Sequence, residues 1–142
     1  YKYRMAMSQG ISMQVFWSIA GPIMVDPGDL AILLSNALDN AIEAAGKTDS
    51  PFISVHTDLS DPYLRIVVSN PSPEVPEIIN NRIASTKPDA ASHGYGMESM
   101  HMLAEKYHGR VVPEFKDGLF ILHVLLLNQA VDGANRPGKE PV

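Results

Sequence analysis

Cysteine is absent from the 142 residues, which removes a disulfide framework, a thiolate metal site and a cysteine nucleophile together and fits a reducing compartment. Long basic runs are missing as well. No stretch of Lys or Arg exceeds two residues, and 11 basic against 16 acidic residues give a formal net charge of -5, so a phosphate-backbone footprint for DNA or RNA is not expected. No apolar run approaches the roughly 18 to 20 residues that cross a bilayer. The start, Tyr1-Lys2-Tyr3-Arg4, is neither an initiator methionine nor a signal peptide. The expectation is a soluble, cytoplasmic piece of a longer protein with no membrane contact of its own. His-Glu-x-x-His and Gly-x-Ser-x-Gly are missing, and no Gly-Lys-Ser/Thr follows the Gly94-Tyr95-Gly96 segment, which leaves zincin, acyl-transfer and Walker-loop chemistry there without support.

What is present, at 45% hydrophobic and 19% charged, suits one compact domain. β-Branched and aromatic residues in loose alternation predict a strand over 13–19. Asp26 as N-cap, Pro27 at the first helical position and Asp29 at the third then predict a helix to Ala45, stopped by Gly46. Its core stripe is expected to be Leu30, Leu34, Ala37, Leu38, Ala41 and Ala45. Two strand-like runs, 52–57 and 64–69, read as an antiparallel hairpin. A short helix is expected over 76–84, a polar mobile loop over 85–96, and a helix over 97–108. Lys116-Asp117-Gly118 joins two further strands as an Asp-Gly hairpin. Residues 1–11 read as the end of an upstream helix or a linker, 12–127 as the domain, and 128–142 as a disordered tail. The order of elements predicts an α+β fold: a two-layer sandwich with a mixed, mostly antiparallel sheet and helices on one face.

Two features carry possible chemistry. Asn36 and Asn40 lie four apart on the first long helix, so their amides stack, bordered by the small Ala37 and Ala44. Amide oxygens are hard ligands suited to a hydrated Mg²⁺ that also touches phosphate. A pair of surface amides accounts for the spacing equally well. Gly94-Tyr95-Gly96 precedes the helix expected from Met97, where glycine permits close approach to a ligand and free N–H groups favour phosphate. An ordinary loop entering a helix has the same pattern.

Leu34-Ser35-Asn36-Ala37-Leu38-Asp39-Asn40-Ala41-Ile42-Glu43-Ala44 resembles the N box of the ATPase/kinase superfamily shared by gyrase, histidine kinases and MutL. His93-Gly94-Tyr95-Gly96-Met97-Glu98-Ser99-Met100 resembles its glycine-rich G2 box. Between them, Ile66-Val67-Val68-Ser69-Asn70-Pro71 occupies the place of the G1 box but departs from its Asp-x-Gly-x-Gly. In that departure the chain is similar to the quorum-sensing peptide-receptor kinases of the AgrC type. The likeness spans roughly residues 13–127 and implies a Bergerat-type ATP-binding fold. By the same resemblance Asn40 is the principal Mg²⁺ ligand and Asn36 its neighbour at the phosphates. Asn70 stands where an aspartate accepts a bond from the adenine amino group, and His93, Gly94, Tyr95, Gly96 and Met97 border the nucleotide. Lys87 is the candidate phosphate partner from the lid.

The function so implied is the ATP-binding catalytic domain of a two-component sensor histidine kinase. Its partners would be ATP, the phosphoacceptor domain of the same kinase and a response regulator. None of the five histidines sits in a phosphoacceptor context, so the chain by itself is not expected to autophosphorylate. A self-sufficient ATPase of this superfamily carries a glutamate where Asn36 stands, and an amide cannot act as a general base. A serine-directed anti-sigma kinase stays open, as does an interaction module with a decayed nucleotide site.

Overall fold

The computed structural model describes residues 2–73, 77–80, 82–84 and 90–129, with backbone alone at Glu77, 82–84 and 90–95. Its elements run α1 (Lys2–Ser8), β1 (Ser12–Ser18), α2 (Pro27–Ala45), β2 (Phe52–Ser60), β3 (Tyr63–Pro71), β4 (Glu77–Ile79), β5 (Arg82–Ala84), α3 (Ala90–Lys106), β6 (Arg110–Lys116) and β7 (Leu119–Leu127). Five strands form the main sheet in the order β1-β2-β3-β7-β6. All its pairings are antiparallel except β1 with β2. The predicted two-layer α+β sandwich is the observed fold.

Period-two burial makes one face of the sheet the core face. Ile53 and Val55 from β2, Leu64, Ile66 and Val68 from β3, Val111 from β6, and Leu122, Val124 and Leu126 from β7 are all buried. The helices close this face. In α2 the row Leu33, Ala37, Ala41 and Ala45 is buried together with Ile42, while Leu30, Leu34 and Leu38 are only partly covered. The stripe is thus rotated relative to the expected one. Three alanines allow α2 to lie close on the sheet, and that close line of approach outranks the larger leucines to one side. The α2 start matches expectation: the Asp26 carboxylate accepts the Asp29 N–H at 3.1 Å, and Pro27 opens the helix.

Two other expectations are corrected. Residues 77–84 contain a two-stranded hairpin rather than a helix, because β-branched Ile78, Ile79 and Ile83 favour extended backbone and Asn80 takes the left-handed conformation (φ 53°) that a tight turn needs. Helix α3 starts at Ala90, not Met97. Glycine weakens a helix interior by about 1 kcal/mol, yet burial of Met97, Met100 and Ala104 against the core outweighs that, so Gly94 and Gly96 are helical. The part of the expected loop at 85–89 lies outside the described residues. The Asp-Gly turn is as expected, with φ 54° at Asp117 and 78° at Gly118. Asn128, assigned by sequence to the tail, accepts the Met24 N–H at 2.7 Å and donates to the Pro22 carbonyl at 3.0 Å; residues 130–142 lie outside the described set.

Helices α2 and α3 are latched at one end. The Tyr107 hydroxyl donates to Asp29 at 2.6 Å and accepts the Asp26 N–H at 3.1 Å, and Lys106 Nζ donates to the same Asp29 oxygen at 3.0 Å. Burial raises the Asp29 carboxyl, but the Tyr107 hydroxyl and the Lys106 ammonium outweigh it and hold the group below its ordinary value. Burial, and then the bond to Asp29, push Tyr107 up to about 12. A lowered carboxyl contributes stability that is present above its unfolded value and lost as pH falls through the folded one. A raised phenol contributes stability that is present below about 10 and lost as pH climbs toward about 12. Tyr107→Phe should therefore cost about 1–2 kcal/mol at pH 7, measured by urea unfolding. The gap to wild type should narrow as pH rises beyond about 10; a gap constant with pH would refute the latch.

Candidate nucleotide site

The stacked amides are where helix geometry puts them. With the row from Leu33 to Ala45 turned to the sheet, Asn36 and Asn40 fall beside it, half-buried, on the flank of α2 that faces α3. Helix α3 closes on this flank at Gly96. A Cβ built at Gly96 would lie 3.9 Å from Asn36 Oδ1 and 4.0 Å from Asn40 Oδ1. Both amide oxygens therefore point toward one place, and the residue opposite them has no side chain to fill it. Two neutral oxygens aimed into one small space, with no ammonium or guanidinium among the described residues bonded to them, fit a hard, hydrated cation. Among the described residues no group of three His, Cys, Asp or Glu side chains could hold a metal. A cation here would rest on amides, phosphate and water.

Asn70 ends β3 on the core face and is 1% exposed. Its Nδ2 donates to the Pro71 carbonyl at 2.9 Å. That bond uses one of the two amide N–H donors and orients the group, with Oδ1 as its acceptor. Asn70 shares the face of the sheet that α2 covers, but no atom of it comes within 4 Å of a Gly96 Cβ. The structure therefore joins Asn36, Asn40 and Gly96 directly and sets Asn70 apart from them on the sheet floor.

The other sequence candidates divide. Met97 is 9% exposed and belongs to the hydrophobic core, so its side chain anchors α3. The backbone of His93, Gly94 and Tyr95 lies in the first turns of α3, and their side chains lie outside the description. Lys87 is also outside it. Sequence reasoning missed Lys106 and Tyr107, which hold the far end of α3 against α2. Asp29 was read only as a helix-dipole partner, and its bond to Tyr107 spans 78 residues, a distance at which no local pattern signals a partner.

The model of the GHKL domain family matches residues 25–127. None of the curated proteins matches this sequence. Among solved structures, the nucleotide-free catalytic domain of histidine kinase ThkA is similar with a TM-score of 0.71 at 17% identity, over 91% of this chain and 90% of that one. A second crystal form of the same domain gives 0.71 at 18% identity, over 90% and 88%. The Acinetobacter baumannii histidine kinase AdeS gives 0.66 at 12% identity, over 89% of this chain and 59% of its own. At such identities the likeness is one of fold. The family match spans both asparagines, Asn70 and the Gly94-Tyr95-Gly96 segment, and this chain belongs to the GHKL domain family.

Proposed function

We propose that this chain is the ATP-binding catalytic part of a two-component sensor histidine kinase, holding Mg·ATP for phosphoryl transfer to a histidine on another domain. The observation that carries the reading is the convergence of Asn36 and Asn40 oxygens on the open position at Gly96. In this reading Asn40 Oδ1 is the principal Mg²⁺ ligand and Asn36 its neighbour beside the phosphates. When bound, the metal supplies charge neutralisation at the transferring phosphoryl group. Gly94 and Gly96 carry no side chain, so phosphate oxygens can approach α3 closely at these two positions. His93, Tyr95 and Lys87 complete the border of the nucleotide, while Met97 holds α3 to the core beneath it. Asn70 Oδ1 accepts the adenine amino group, a neutral bond weaker than one to a carboxylate.

Asn36 decides the reaction class. Its amide takes no proton from water, so the site positions a phosphoryl group without activating a hydrolytic nucleophile. The acceptor in this proposal is a protein imidazole, with a response regulator downstream. A cytoplasmic setting and an AgrC-like, quorum-sensing role belong to the same proposal; the Asn70-Pro71 pair in the G1 position supports the latter. Among the described residues no helix is long and apolar enough to cross a membrane.

Two outcomes test this. A Mg²⁺–ATP analogue at about a hundred times its Kd should stabilise the wild type by roughly 2.7 kcal/mol. Asn40→Ala should lose most of that while leaving the unliganded protein near its original stability, since alanine is the better helix former. A full nucleotide response in that variant would exclude the metal role. With radiolabelled ATP the chain alone should show neither stable self-labelling nor appreciable turnover; acid-labile, base-stable label on its own histidines would contradict the transfer reading.

A further inference from the structure

The two edges of the main sheet are built differently. Edge strand β6 carries Arg110, Glu114 and Lys116 together with Pro113, the charges and missing N–H by which an edge is kept from pairing with another chain. Edge strand β1 has none of these. Its sequence is Ser-Met-Gln-Val-Phe-Trp-Ser, and no charged residue occurs anywhere from residue 5 to residue 25. Val15, Phe16 and Trp17 are 54%, 47% and 55% exposed. Among the described residues no strand lies beyond β1.

Its free backbone groups can be assigned. The Ser12 N–H donates to the Pro51 carbonyl at 3.2 Å across the parallel pair with β2. Backbone direction alternates along a strand, so Ser12, Gln14, Phe16 and Ser18 bond to β2, whereas Met13, Val15 and Trp17 direct both N–H and C=O outward. The side chains of these three stand on the core face, in register with Ile53, Val55 and Thr57 of β2. Met13 is covered, but Val15 and Trp17 continue the apolar row past the helix layer.

We propose that β1 is a self-association edge, at which two copies of this chain pair antiparallel about a two-fold axis through Val15 and join their sheets into one. The occupant is a second copy because the strand is self-complementary about that residue. In this register Val15 faces Val15, Met13 faces Trp17, Gln14 faces Phe16 and Ser12 faces Ser18. The three outward-directed residues all fall in hydrogen-bonded pairs, each exchanging both bonds. The exposed Val15 and Trp17 of the two copies continue one apolar row across the junction, and the lack of charge means that identical edges meet without like-charge repulsion. On the opposite face Phe16 is held by stacking on His56 at a centroid separation of 4.5 Å. The contact is isologous and closed. It is independent of the nucleotide reading and uses no residue of that site.

The absence of native cysteine gives a register-specific test on the full 142-residue chain. Hydrogen-bonded partners in an antiparallel pair sit with Cα atoms about 5.5 Å apart, within disulfide range. Mild oxidation should therefore link Val15→Cys to itself, while Ser12→Cys, whose partner in the register is Ser18, should link poorly. Wild-type protein should sediment as a concentration-dependent dimer. Val15→Lys should raise the dimer dissociation constant at least about tenfold, with an unchanged melting temperature when both proteins are compared at a concentration where each is monomeric. A wild type that stays monomeric across the concentration series, equal cross-linking at the two positions, or a Val15→Lys dimer as tight as wild type would each overturn the proposal.

Discussion

The hydroxyl of Tyr107 meets the carboxylate of Asp29 at 2.6 Å, and the relation of α2 to α3 depends on that contact. Tyr107 lies 11 residues beyond Gly96, and Asp29 lies 11 residues before Asn40. At 1.5 Å per residue both intervals are about 16 Å, so fastening one end of the antiparallel helix pair brings Gly96 level with Asn40 at the other. The bond is short and assisted by charge, and Lys106 shares the same carboxylate oxygen, which strengthens it beyond an ordinary neutral hydrogen bond. A shift of one residue at the latch would carry Gly96 off the amides and put a bulky neighbour in its place. Gly109 constrains the chain just past the latch. A Cβ there would run into the backbone carbonyl of Leu125, so this turn passes β7 at a distance only glycine permits.

Local chemistry made part of this legible in the sequence. The start of α2 could be read because Asp26, Pro27 and Asp29 act within one turn, and the β6–β7 turn because Asp117-Gly118 accepts positive φ. The hairpin of β4 and β5 could not: two three-residue strands are too short to show a period, and neighbouring prolines mask the isoleucines. The start of α3 was misplaced because glycine is a helix breaker locally, and only the tertiary burial of Met97 and Met100 reveals that it is tolerated here. The parallel partner of β1 lies 40 residues away, beyond any local signal.

At the site, the asparagine spacing was enough to place two amides on one flank of a helix. It could not give the direction of their oxygens or what faces them. Those depend on how far α2 rotates on the sheet, which the small Ala37, Ala41 and Ala45 decide. The same rotation leaves Leu30, Leu34 and Leu38 half-covered. In the proposed site the neutral amides of Asn36 and Asn40, with Asn70 apart from them on the sheet floor, can coordinate and accept hydrogen bonds but cannot abstract a proton, and this limits the proposed chemistry to holding and presenting a phosphoryl group.

The central claim is that the space between Gly96 and the two amide oxygens is where metal and phosphate are held. Calorimetric titration of a Mg²⁺–ATP analogue into Gly96→Leu tests it most directly. Leucine is a better helix former than glycine, and only the side chain added at position 96 enters the space. The account predicts a Kd raised by about a hundredfold or more, roughly 2.7 kcal/mol of lost binding, in a protein that still melts cooperatively. A Kd within about threefold of wild type, less than 1 kcal/mol of change, would contradict it.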